Sequence, residues 1–235
     1  MPESIERIAQ AILARPAPVL LPDTSSLLNI LEAATPEERV SSNIVPAALT
    51  FLGRLQSKPP VLHIAVAQVV EGEWLKLHLD KCKRAAASVR HADERISLLW
   101  SIASLMGSAP SGGYVRFSGL QIAERLHDIA EQMVRRGRVI ESTADFASAA
   151  GRRMCASNAP ATAGKDTTND CLLIEQYLEL CRRLRTAGFT HRCIFVTSNT
   201  RDFGEPKAPR PPLDQEFASV QIDFAYDFAA AETLI

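Results

Sequence analysis

Apolar positions recur along the chain with two periods, and the alternation between them predicts an α/β order. Residues 3–14 place Ile5, Ile8, Ile12 and Leu13 at helical intervals, and Pro16 and Pro18 stop that helix. A short apolar run at 19–21 reads as a buried strand, with Asp23 directly after it and Thr24, Ser25 or Ser26 as the cap of the next helix. Pro36-Glu37-Glu38 and residues 43–55 suggest further helix, ended by Pro59-Pro60. A second apolar strand at 61–66 runs into a helical stretch from 68 to about 106, with a break near His91, and then a loop at 107–113.

Ser118 is the expected cap of the clearest amphipathic helix, in which Leu120, Ala123, Leu126, Ile129, Ala130 and Met133 share one face. A short strand at 139–140 and a helix at 143–153 follow. CASNAPATAGKDTTND lacks periodicity and reads as loop. It feeds a helix whose core face carries Leu173, Tyr177, Leu178, Cys181 and Leu184. Next come a strand at 193–196, a Pro-rich loop at 204–212, a last strand at 220–224 and a short terminal helix. Strands alternating with helices predict a parallel sheet covered on both faces, a three-layer α/β/α fold in a single domain spanning 1–235. Residues 74–153 form a helical insertion or second layer, whose apolar faces complete the core or form a homodimer interface.

Composition narrows the function more by exclusion than by indication. The 235 residues are 46% hydrophobic and 23% charged, an ordinary globular balance. No apolar run approaches the roughly 20 residues of a membrane span, and the N-terminus lacks the layout of a signal peptide, so a cytoplasmic protein without a membrane partner is expected. The five cysteines are scattered without a CxxC pair, which argues against a disulfide framework or a zinc site. The five histidines show neither HxxxH nor HExxH spacing, which argues against a histidine-held metal. A net charge of −1 attracts no polyanion, so a nucleic-acid partner must be held by local basic patches.

The candidate chemistry lies in the acids. Ligands of a parallel α/β sheet bind beyond the carboxyl ends of its strands. Asp23 follows the first apolar run, Glu73 lies a turn or two into the helix after the second, and Asp166 and Asp170 flank the start of a later helix. Asn199 and Asp202 follow the strand CIFV. Each has a purely structural role available: Asp23 as a cap, Asp166 and Asp170 as dipole partners, Glu71 and Glu73 as exposed helix residues, Asp202 in a turn. Gathered at one edge, they would repel unless a cation sat among them. Carboxylate oxygens are hard ligands suited to Mg²⁺ or Mn²⁺, and such ions activate water for phosphodiester cleavage.

The segments PDTSSLL, VVEGEW, GKDTTNDCLLIEQYL and IFVTSNTRDF together resemble the PIN domain family of metal-dependent nucleases, and more narrowly a bacterial PIN-like branch with a long helical insert. The resemblance spans roughly 17–235 and is weakest through the insert. It implies a Mg²⁺- or Mn²⁺-dependent endoribonuclease whose acids are Asp23, Glu73 (with Glu71 as the nearby competitor), Asp170 and Asp202. Ser25, Asp166, Thr197 and Asn199 would support them, with Asn199 standing where some relatives carry Asp. Lys165, Arg201 and Lys207 are candidate contacts for the phosphates of RNA or another single-stranded nucleic acid. Small PIN toxins pair with antitoxins, so a protein inhibitor is a further candidate partner. Two other readings stay open: a PIN-like module that binds RNA or protein without cutting, and an α/β phosphatase with Asp23 as nucleophile. Ser25 stands where such phosphatases commonly carry a second acid.

Overall fold

β1 (Val19–Pro22) is buried along its whole length, which is what a near-continuous apolar run at the centre of a parallel sheet requires. A computed structural model describes residues 1–35, 41–108 and 114–235. The helix expected at Pro36-Glu37-Glu38 and most of the loop expected at 107–113 lie outside those residues. The chain runs α1 (Ile5–Leu13), β1, α2 (Thr24–Glu32), α3 (Ile44–Gln56), β2 (His63–Ala67), α4 (Gln68–Leu105), a 3₁₀ turn (Phe117–Leu120), α5 (Ile122–Arg136), β3 (Arg138–Ile140) and α6 (Ala144–Cys155). It continues with α7 (Thr168–Thr186), β4 (Cys193–Val196), α8 (Thr200–Phe203), β5 (Gly204–Glu205), β6 (Ala208–Pro209), α9 (Leu213–Val220), β7 (Ile222–Ala225) and α10 (Phe228–Glu232).

Five strands form one parallel sheet in the order β3-β2-β1-β4-β7. The chain winds outward from β1 through β2 to β3, then returns to the other side of β1 for β4 and β7. The winding therefore reverses between β1 and β4, and their carboxyl ends frame the crevice where such sheets bind ligands. β1 and β4 stay paired to their ends, Pro22 opposite Val196, and the Asp23 N–H donates to the Val196 carbonyl at 2.8 Å. β1 and β2 pair only at Val19–His63 and Leu20–Ile64. Beyond that point Tyr177 of α7 bridges the gap: its hydroxyl donates to the Pro22 carbonyl at 2.7 Å and accepts from the Ala67 N–H at 3.1 Å.

The helices pack in two sets. One holds α2, α3, α4, α5 and α10, the other α1, α6, α7 and α9, with the main apolar core spread across the sheet and a small second cluster at Ala150, Ala161 and Cys171. In the second set Arg153 of α6 is buried and donates to Glu175 of α7 and Glu216 of α9, at 2.7 and 2.8 Å. Among the described residues no helix is long and apolar enough to cross a membrane.

Several expectations are corrected. The stretch after β2 is one unbroken helix, with no break at His91. Neither Pro nor Gly falls between Trp74 and Met106, and the buried Asp93 is satisfied from outside the helix by Tyr114 and by the N–H groups of Phe117 and Ser118. Ser118 does not cap α5, because it lies within the preceding 3₁₀ turn, where Asp93 accepts from its N–H; the helix starts after Gln121, whose φ of 53° turns the chain. Leu120 consequently lies outside the helix and is exposed. The Pro-rich loop contains the β5–β6 hairpin, and α9 occupies residues where no helix was expected. Its Leu213, Phe217 and Val220 are buried at helical spacing. The segment 74–153 is woven into the sheet, since it supplies edge strand β3. Along α4, Val70, Trp74, Ala85 and Val89 are buried, whereas Leu98, Leu99 and Leu105 are exposed.

Candidate functional site

Asp23 leaves β1 at the reversal of the sheet and becomes the N-cap of α2, its Oδ1 accepting from the Thr24 N–H at 2.7 Å. The cap is thus Asp23 itself and not one of the hydroxyl residues after it. Its Oδ2 accepts from Ser25 Oγ at 2.6 Å and from Thr197 Oγ1, just past β4, at 2.7 Å. The Thr197 hydroxyl also accepts from the Asn199 N–H at 3.0 Å, and Ser25 Oγ accepts from the Ser198 N–H at 3.1 Å. Ser25 and Thr197 therefore do what a strand end built of small polar residues can do: they fix a buried carboxylate from two chain segments at once. Burial still pushes the Asp23 carboxyl above its usual range; the three hydrogen bonds oppose that and the Glu73 charge adds to it.

Glu73 reaches the same place from α4. Thr24 Oγ1 donates to its Oε2 and Asn169 Nδ2 to its Oε1, each at 2.7 Å. Glu71, two residues earlier, has no side-chain hydrogen bond among the described residues. The geometry selects Glu73.

Asp170, in the first turn of α7, is pushed up to about 7, first by burial and then by the charges of Asp23 and Asp202, with Glu73 adding to them and Lys165 opposing. Its side chain accepts no hydrogen bond among the described residues, so only the Lys165 charge offsets burial and like charge. Asp202, on α8, is buried. Burial alone would raise it, but Lys165, Asn199 and Thr162 together hold its carboxyl below the usual range. Lys165 forms an ion pair with Oδ2, and Asn199 Nδ2 donates to the same oxygen at 2.9 Å. The Asn199 Oδ1 faces the Asp202 N–H at 3.4 Å as the N-cap of α8. Both ends of that amide serve Asp202.

The fold thus gathers Asp23, Glu73, Asp170 and Asp202, with Ser25, Thr197, Asn199 and Lys165 around them. It leaves Asp166 aside: this residue is exposed and accepts from the Thr168 N–H and hydroxyl, a turn-stabilising role at the start of α7. Arg201 and Lys207 are exposed, and their side chains make no hydrogen bond or ion pair among the described residues. Four participants, Thr24, Asn169, Thr162 and Arg210, were not among the expected site residues. Thr24 and Asn169 orient Glu73 across the chain, and Arg210 Nη1 donates to the carbonyls of Arg201 and Asp202 and to the Thr162 hydroxyl, closing the floor under Asp202.

Asp23, Asp202 and Glu73 all act electrostatically on Asp170, and with one lysine against them these buried or half-buried carboxylates leave net negative charge that a cation relieves. The donor set is all oxygen, which suits a hard divalent ion. The chain matches no protein-family model, no curated protein and no solved structure.

Proposed function

We propose that the chain is a PIN-like, divalent-metal-dependent endoribonuclease. The observation that carries this reading is the state of Asp170: its carboxyl is raised to about 7 by burial and by three other acids drawn from separate segments. Such clusters are unfavourable by themselves and become favourable around a cation. The parallel sheet with helices in two sets is compatible with a PIN-like architecture, and the acids stand where its winding reverses.

Asp23, Glu73 and Asp170 would hold Mg²⁺ or Mn²⁺, with Asp202 assisting. The ion would lower the pKa of a water and offset the charge that develops on a phosphodiester. The protein's own contribution is preorganisation. Ser25, Thr197 and the Thr24 N–H hold Asp23 in one orientation, and Thr24 and Asn169 hold Glu73. Asp170 accepts no hydrogen bond among the described residues, which leaves its oxygens for an ion. With these rotamers fixed, the carboxylates need not reorganise when charge develops.

The test is cleavage of end-labelled single-stranded RNA by EDTA-stripped protein after addition of Mn²⁺ or Mg²⁺. Cleavage leaving 5′-phosphate and 3′-hydroxyl ends, lost in Asp170→Asn, is expected. Inactivity of metal-replete protein on varied RNA and DNA, with no uptake of Mn²⁺, overturns the reading.

A second reading has one observation in its favour. Lys165 and Asn199 already engage Asp202, so one of the four acids is neutralised from within. A module that binds RNA or protein without cutting would need no more. Calorimetric titration with Mn²⁺ separates the two, because that module has no need of the ion.

A further inference from the structure

His78 and His127 are remote in sequence, yet α4 and α5 bring His78 Nδ1 to 2.7 Å from His127 Nε2. Glu131 lies one turn after His127 on the same face of α5. One ligand atom from each of the three lies within 4.8 Å of the other two. Spacing along the sequence argues against a histidine-held metal only when the ligands share a helix; here they do not.

The surroundings of these atoms match what metal ligands need. Glu131 Oε2 accepts from the buried Trp74 indole at 2.6 Å and Oε1 accepts from Arg135 Nε at 2.6 Å, which fixes the carboxylate. His127 Nδ1 lies 3.6 Å from the Asp128 carboxylate, beyond hydrogen-bond distance. Burial, and then the neighbouring His127, hold the His78 imidazole below its ordinary value in spite of Glu131. Trp74 stacks on His78 and His127, with ring centroids 5.2 and 6.0 Å away, and walls one side of the cluster.

We infer that His78, His127 and Glu131 form a site for a borderline transition-metal ion of the Zn²⁺ type, which braces α4 against α5. Two imidazoles and a carboxylate are a zinc donor set, with the fourth position left to water. Nitrogens bound to one tetrahedral Zn²⁺ stand about 3.3 Å apart, so the two nitrogens must part by about 0.6 Å from their 2.7 Å hydrogen bond, and the proton between them must move to the far nitrogen of its ring. The site is separate from the carboxylate cluster in both chemistry and direction. Trp74 turns toward α5, whereas Glu73, the preceding residue, turns toward Thr24 and Asn169. The bracing therefore acts directly behind Glu73.

The test is Co²⁺ titration of the EDTA-stripped full chain in excess Mg²⁺, which occupies oxygen-only sites, followed by visible absorption. One equivalent should give the intense ligand-field bands of a four-coordinate ion, and one equivalent of Zn²⁺ should abolish them and raise the melting temperature. His78→Gln/His127→Gln protein, folded by far-ultraviolet circular dichroism, should show only the weak bands of six-coordinate Co²⁺. Weak bands alone in the unmutated protein, or intense bands that survive in the double variant, overturn the inference. If the double variant does not fold, Glu131→Gln takes its place, since its amide oxygen still accepts from Trp74. Zn²⁺ affinity should then fall at least about tenfold, and unchanged affinity overturns the inference.

Discussion

Thr24 Oγ1 donates to Glu73 Oε2 at 2.7 Å, joining the first turn of α2 to the second turn of α4. This contact distinguishes two glutamates that the local sequence leaves equivalent. Glu73→Gln should reduce Mn²⁺-dependent RNA cleavage by about 10²-fold or more, the scale of removing a preorganised charge. Glu71→Gln should stay within about twofold, as surface substitutions do. Initial rates on one labelled RNA decide between them; equal losses in both variants would contradict the assignment.

Lys165 is 42% exposed along its side chain while its partner Asp202 is fully buried. Lys165→Ala leaves that carboxylate without its cation. Loss of a buried partner can cost about 3–5 kcal/mol, and solvent screening of the exposed lysine reduces the expectation to about 1–2 kcal/mol. Urea denaturation in EDTA should register the loss, and Mn²⁺ should restore most of it by supplying positive charge to the same cluster. A variant as stable as the parent in EDTA would show that the ion pair contributes nothing.

Thr197 is fully buried and spends its hydroxyl on Asp23 and on the Asn199 N–H. Thr197→Val keeps the shape and removes both bonds. Stability should fall by about 1–3 kcal/mol, because a buried carboxylate and a backbone N–H each lose a partner. The Asp23 carboxyl should also rise further, which carbon-13 NMR of the labelled carboxyl would record.

The acid cluster makes the metal-free protein sensitive to pH in a definite direction. In the unfolded chain Asp170 titrates near 3.9; in the fold its carboxyl is pushed up to about 7. The folded state therefore holds this proton more tightly. Its contribution is complete below about pH 4 and is lost as the pH rises through about 7. Asp23, also raised, acts in the same direction, whereas Asp202, held low, loses its contribution only in acid. EDTA-treated protein should melt at a lower temperature at pH 8 than Asp170→Asn, relative to their difference at pH 5. Mn²⁺ should reverse the slope for the unmutated chain, since the ion binds the deprotonated form.

Much of this site was legible because strand ends are local. An apolar run followed by an acid marks Asp23, and the change from CIFV to TSNTRD marks Thr197, Asn199 and Asp202 with no knowledge of the fold. Glu73 was legible only as one of a pair, since its register is decided by Thr24 and Asn169 from other elements. Asp166 misled for the opposite reason: it has the residue type and the neighbourhood, but its turn engages it locally. α9 was hidden by its brevity and by the prolines before it, and the start of α5 was misplaced because a 3₁₀ turn, pinned by Asp93 of α4, comes before it. The His78–His127 contact joins two helices and leaves no trace in either.

Tyr177 holds a position whose effect extends past its two hydrogen bonds. A single phenol oxygen, held on α7 seven residues after Asp170, ties the carbonyl just before Asp23 to the amide just before α4. The three segments that carry Asp23, Glu73 and Asp170 therefore share one hinge pin, and no acid among them can drift alone. A disturbance of α7, even on its far side against α1 or α9, would loosen the set together. Failure of this centre should be all-or-none in character, with ion affinity and turnover declining in step.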